Sequence, residues 1–206
     1  MMNIKLTNLG KRYNREWIFR NLNFQFDISK HYAITGPNGS GKSTLLQIIA
    51  GSAIYNEGEI VYHYLDKPVE PEKIFKKISF SAPYLDLVEE MTLHEFLNFH
   101  RDMKSWISPF DTKQIILLLD LEKSAHKQIR YFSSGMKQRV KLAQAIFSDV
   151  PAILLDEPDT NLDEEGIRLY KTLIENHCKN RLVIVSSNDK EEYSFCRERI
   201  DMMNYK

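Results

Sequence analysis

One stretch restricts the chain to few folds: Gly36-Pro37-Asn38-Gly39-Ser40-Gly41-Lys42-Ser43. Its glycines let the backbone curl until successive N–H groups point inward, a geometry that grips phosphate oxygens. The apolar run from His31 to Thr35 predicts a buried strand before it, and Lys42 to Ala50 has helical spacing after it. Strand, glycine loop and helix form the setting in which this pattern cradles a nucleotide's phosphates. Lys42 is placed to reach the β- and γ-phosphates, Ser43 to ligate magnesium through its hydroxyl, and Thr44 to contact the α-phosphate. The helix N-terminus adds its positive end.

A second apolar run, Ile153-Leu154-Leu155, ends in Asp156-Glu157-Pro158. Carboxylates at the carboxyl end of a strand face the ligand crevice of an α/β sheet. Asp156 is expected to hold magnesium through water, and Glu157 to accept a proton from, or orient, a water attacking the γ-phosphate. Taken alone, the acidic pair reads as a solvated turn; coupled to the loop upstream, the magnesium reading is preferred.

Around these two sites the chain reads as α/β. Strands are predicted at 4–9, 17–19, 22–26, 59–65 and 77–80, and the branched runs 152–155 and 182–185 suit parallel strands covered on both faces. Residues 93–121 carry helical spacing, as do 134–147, with Met136, Val140, Ala143 and Phe147 on one side, and 163–177. A length of 206 residues suits one sizeable domain. The 28 basic and 28 acidic side chains cancel, which argues against a general nucleic-acid binder. Cys178 and Cys196 lack CxxC spacing and are read as reduced thiols of a cytosolic protein. No apolar stretch approaches the roughly 18 residues a membrane span requires, and the N-terminus lacks the features of a signal peptide. If the protein moves anything across a membrane, another chain supplies the pore.

Between the loop and the acidic strand lies Phe132-Ser133-Ser134-Gly135-Met136-Lys137-Gln138-Arg139. With this third element the chain resembles the ATP-binding cassette (ABC) family over essentially its whole length, and short export-type cassettes in particular, including those linked to haem export or cytochrome maturation. The resemblance implies an ABC-ATPase version of the P-loop NTPase fold, with a mixed or parallel core sheet, an antiparallel β subdomain and a small helical subdomain. A single domain, 1–206, would divide into a catalytic core and β subdomain at 1–83 and 131–206 and a helical insertion at 84–130. It implies hydrolysis of ATP with Mg2+, powering a transporter through closure and reopening of a dimer.

Further roles follow from the resemblance alone. Ser133, Ser134 and Gly135 correspond to the family signature, usually Leu-Ser-Gly-Gly-Gln, which is presented to ATP held by the opposite subunit; a Ser N-cap is the plainer role. The opposite subunit would be a second copy or a similar cassette. Tyr13 lies where the family stacks an aromatic on adenine, or is ordinary surface or core. Asp163 lies where the family makes a dimer contact, or is a helix N-cap. Tyr84, Leu85 and Leu87 either dock a separate integral-membrane subunit or pack internally. The expected location is cytoplasmic, peripheral on the cytoplasmic face of the membrane, with no nucleic-acid partner.

The sequence also departs from the family. No glutamine occurs in Phe80-Ser81-Ala82-Pro83-Tyr84, and Asn188 stands where a switch histidine is usual. Asn188 can hydrogen-bond a phosphate but never becomes cationic. Three other readings remain open: a soluble ABC-type ATPase acting on DNA or ribosomes, a P-loop small-molecule kinase, and a weakly hydrolysing nucleotide sensor. Long coiled coils or paired cassettes would mark the first and an acceptor site with a lid the second; the missing glutamine and histidine favour the third.

Overall fold

The computed structural model describes residues 2–28 and 30–206; Met1, where the expected single domain begins, and Ser29 lie outside them. Its contacts divide the chain into two compact units, one made of 1–80, 150–157 and 180–206 and the other of 81–149 and 158–179.

The first unit opens with β1 (Met2–Tyr13) and β2 (Glu16–Asp27), joined antiparallel. The separate strands expected at 17–19 and 22–26 are one strand, β2. Its pairing with β1 slips between Leu9↔Leu22 and Lys11↔Phe19, and Asn21 takes a φ of 54° at that bulge. The bulge breaks the alternation of apolar side chains, so one strand has the sequence pattern of two. Then come β3 (His31–Thr35), α1 (Lys42–Ile49), β4 (Glu57–Tyr64), β5 (Lys67–Val69) and β6 (Ile78–Ser81). The remaining strands are β7 (Ala152–Asp156), β8 (Leu182–Ser186) and β9 (Glu198–Asp201).

These strands form an antiparallel sheet ordered β2-β1-β4-β5 and a second sheet ordered β6-β7-β8-β3-β9. In the second sheet β7, β8, β3 and β9 pair in parallel. All five residues of β7 and of β8 are buried, as strands covered on both faces require. One face of this sheet, carrying Tyr32, Ile34, Ala152, Leu154, Leu182 and Ile184, belongs to the same core as Leu45, Leu46, Ile48 and Ile49 of α1. The phosphate loop leaves β3 and enters α1 at the carboxyl edge of that face.

The second unit is helical: α2 (Leu93–Met103), α3 (Thr112–Leu118), α4 (Ser134–Phe147) and α5 (Glu164–His177). Thr92 with Glu95, and Asp111 with Gln114, form reciprocal capping boxes that fix where α2 and α3 begin. Leu93, Leu97, Ile115, Val140, Phe147 and Tyr170 are buried in it. The insertion expected at 84–130 lies inside this unit, together with α4 and α5.

Candidate functional site

The loop 36–41 is set by its backbone. Gly41, the N-cap of α1, has a φ of 99°, and a Cβ there would stand 2.5 Å from Ile18 Cγ2. Only glycine meets both demands. Because Gly41 has no side chain, no side-chain oxygen caps α1, and its first-turn amides stay aimed at the loop's interior. Lys42 is only 5% exposed, and its Nζ donates to the carbonyls of Gly36 at 3.0 Å and Pro37 at 3.4 Å. Bonds from an ammonium to neutral carbonyls are weaker than bonds to a phosphate anion, so this lysine is poised to change partners.

The acidic strand end stands on the same face. Residues two apart on a strand share a face, so Asp156 follows Ala152 and Leu154 towards α1. It is 2% exposed, and its Oδ1 finds no hydrogen-bond partner among the described residues. Glu157 turns out of the strand with a φ of 42°, its amide donating to the Ser186 carbonyl at 2.8 Å. That left-handed step re-aims the side chain. A cavity of about 370 Å³ results, lined by Ile18, Asn38, Gly39, Gly41, Lys42, Ser43, Thr44 and Glu157. The Ser43 hydroxyl and the free oxygen of Asp156 are hard donors of the kind a small divalent cation takes, and Mg2+ keeps much of its water and needs few protein ligands.

Residues 19–160 match the family model described as ABC transporter. The chain belongs to that family. It is 30% identical over 207 residues to an uncharacterised ABC transporter ATP-binding protein, YybJ, of Bacillus subtilis, covering 97% of this chain and 92% of that one. It is 27% identical over 207 residues to the cytochrome c biogenesis ATP-binding export protein CcmA of Pasteurella multocida, covering 98% and 96%. Among solved structures, a dimeric ATP-binding cassette in a post-hydrolysis state with ADP and Pi superposes with a TM-score of 0.79 at 25% identity, covering 96% and 93%. The chain is thus an ATP-binding subunit of an ABC transporter and an ATPase, with the α/β P-loop architecture expected. Among the described residues no helix is long and apolar enough to cross a membrane.

The other expected residues of the cassette are placed as follows. Asn188, just past β8, donates from Nδ2 to Asn38 Oδ1 at 2.6 Å, which puts it at the rim of the phosphate loop. Tyr13 is 51% exposed at the end of β1, with the Lys11 ammonium 4.5 Å from its ring centroid, and is not among the residues lining the cavity. Ser133 caps α4, its Oγ accepting from the Met136 amide at 3.2 Å, and Ser134 beside it is exposed. Gly135 passes so close to the following loop that a Cβ would lie 3.0 Å from the Asn161 carbonyl. Asp163 caps α5: its Oδ1 accepts from the Gly166 amide at 2.8 Å and from Arg139 at 3.3 Å. The amide bond first, and the guanidinium second, hold its carboxyl below the usual aspartate range. Of the residues proposed to dock a membrane subunit, Tyr84 and Leu85 are exposed and Leu87 is buried.

Two contributors carry little signal in the sequence. Ile18 walls the cavity from β2, but an apolar residue in an alternating strand looks like any other. Gln138, buried in α4, donates from Nε2 to the Pro158 carbonyl at 2.7 Å and so ties the signature helix to the loop after Glu157. Its place four and seven residues before Leu142 and Ala145, on a second apolar stripe of the helix, was the available hint.

Proposed function

We propose that ATP seats its phosphates in the 36–44 cradle and is hydrolysed there while clamped against a second cassette. The observation that carries this reading is the single cavity that brings Lys42, Ser43, Thr44 and Glu157 together from two distant stretches of sequence. The loop amides and the first turn of α1 bind phosphate oxygens, and Lys42 exchanges its two carbonyl partners for the β- and γ-phosphates. Thr44 contacts the α-phosphate. Ser43 and Asp156 hold Mg2+, which when bound supplies Lewis-acid withdrawal of charge from the phosphate oxygens. Glu157 takes a proton from the attacking water as its oxygen bonds to the γ-phosphorus. The bridging oxygen leaves on ADP with the electron pair of the broken bond, and inorganic phosphate is the other product.

Asn188, steadied by Asn38, offers the γ-phosphate a neutral hydrogen bond in place of a cationic one. Tyr13 stacks on adenine from the hairpin end, beside Ile18. Ser133, Ser134 and Gly135 seal the ATP of the opposite copy, with Asp163 at the dimer contact. That copy is identical or a similar cassette. The helical insertion, 84–130, passes the motion to an integral-membrane subunit on a separate chain, with Tyr84 and Leu85 at the docking surface. The cassette works peripherally on the cytoplasmic face, and its balanced charge supports the absence of a nucleic-acid partner.

Phosphate release by the purified cassette, free of any membrane subunit, tests the reading. The rate per cassette should rise steeply with protein concentration, and Glu157→Gln should lower it by about 10²-fold or more while ATP–Mg binding persists. A rate independent of concentration, or a variant as active as the parent, refutes it.

A further inference from the structure

Ser186 closes β8 at the carboxyl edge of the parallel sheet, and three observations single it out. Its Cα pairs in register with that of Asp156, and Ile184 and Leu182, two and four residues before it, lie on the α1 face. Parallel neighbours in register share a face, so the Ser186 hydroxyl projects beside the Asp156 carboxylate. Both side chains are sealed from solvent, Ser186 at 0% exposure and Asp156 at 2%. Ser186 Oγ and Asp156 Oδ1 both find no hydrogen-bond partner among the described residues. A buried polar atom without a partner is a cost to the fold, so two such oxygens side by side mark a place built for a ligand.

The backbone of the same residue holds the surrounding parts. The Ser186 carbonyl accepts from the Glu157 amide at 2.8 Å, and the next amide, Ser187 N, donates to the Ile34 carbonyl at 3.2 Å. Ser186 therefore joins the end of the acidic strand to the end of the strand that feeds the phosphate loop.

We propose that Ser186 is a positioning residue for the divalent cation: its Oγ and Asp156 Oδ1 form a two-acceptor notch that grips the cation's water shell. Bound water has two protons to donate, and the notch offers two adjacent acceptors. The inference rests on the magnesium reading of Asp156. It assigns Ser186 a role that a buried strand-end serine would otherwise lack.

The test uses Mn2+ as the probe, with the full chain carrying Glu157→Gln so that saturating ATP is not consumed. Mn2+ affinity is read by electron paramagnetic resonance, metal-free ATP affinity by calorimetry, and Tm on the ligand-free protein. Ser186→Ala should weaken Mn2+ binding about 10-fold, as loss of an outer-sphere partner does, and leave metal-free ATP affinity unchanged. Its Tm should hold or rise, because the substitution removes an unsatisfied buried hydroxyl. Parental Mn2+ affinity in Ser186→Ala, while Asp156→Asn loses it, overturns the inference. A loss of Mn2+ affinity accompanied by a lower Tm also overturns it, since that is the mark of a structural hydroxyl. If Asp156→Asn itself keeps the parental Mn2+ affinity, the underlying magnesium reading fails first.

Discussion

Two helix beginnings in this chain use the same dipole in opposite ways. At α1 the N-cap is Gly41, without a side chain, and the first-turn amides open onto a cavity holding Lys42. At α4 the N-cap is Ser133, whose own hydroxyl takes the Met136 amide. The far end of α4 is tied as well: Ser148 Oγ donates to the Gln144 carbonyl at 2.6 Å and pairs with His100 Nε2 at 2.8 Å. Since the single hydroxyl proton goes to Gln144, His100 must donate from Nε2. An anion meets bare donors at α1 but at α4 must share a turn that is already satisfied. The difference fits a helix that binds its own cassette's nucleotide and another that only completes a partner's.

Lys42→Met gives the largest expected separation of the two. ATP binding by calorimetry should weaken by on the order of 3 kcal/mol, ~100-fold in Kd, whereas Ser133→Ala should leave ATP binding to an isolated cassette untouched. Equal losses in both would break the contrast.

Gly41→Ala comes next. The φ of 99° and the 2.5 Å approach to Ile18 should cost about 2 kcal/mol of stability, seen as a lower Tm. Gly135→Ala has neither a left-handed φ nor so close a clash, and should lower Tm far less.

Burial first, and the nearby Lys104 ammonium second, push the His100 pKa down to about 4 from its ordinary 6.5. Between those values the unfolded chain binds a proton that the folded chain refuses. Stability should therefore be full above pH 6.5 and fall as pH drops towards 4. The loss should reach about 2 kcal/mol near pH 5, and urea unfolding of His100→Gln should flatten the dependence across that window.

The smallest effect is Ser133→Ala on the fold itself, about 1 kcal/mol for a lost cap, read as a modest fall in Tm.

The phosphate loop and the acidic strand end were legible because their meaning is local. Residue types at fixed spacing dictate a backbone shape, and the strands that lead into them carry the continuous apolar runs 32–34 and 152–155. The sequence pattern fails where pairing or tertiary placement decides. β2 reads as two strands because a bulge interrupts its alternation. β9 was not foreseen, since Glu198, Arg199 and Asp201 give a four-residue strand only one buried apolar position, Ile200. Leu87 is buried while Tyr84 and Leu85 are exposed, a division that side-chain type alone does not carry. Ser186 is an ordinary serine until register sets it beside Asp156.

In the proposed mechanism, ATP held by one cassette is sealed by the α4 turn of another. The most direct measurement is the molar mass in solution, by sedimentation, of the Glu157→Gln chain with ATP–Mg. It should be a dimer with ATP–Mg and a monomer with ADP, and adding Lys42→Met should abolish the dimer. A chain that binds ATP tightly and stays monomeric at every concentration contradicts the account.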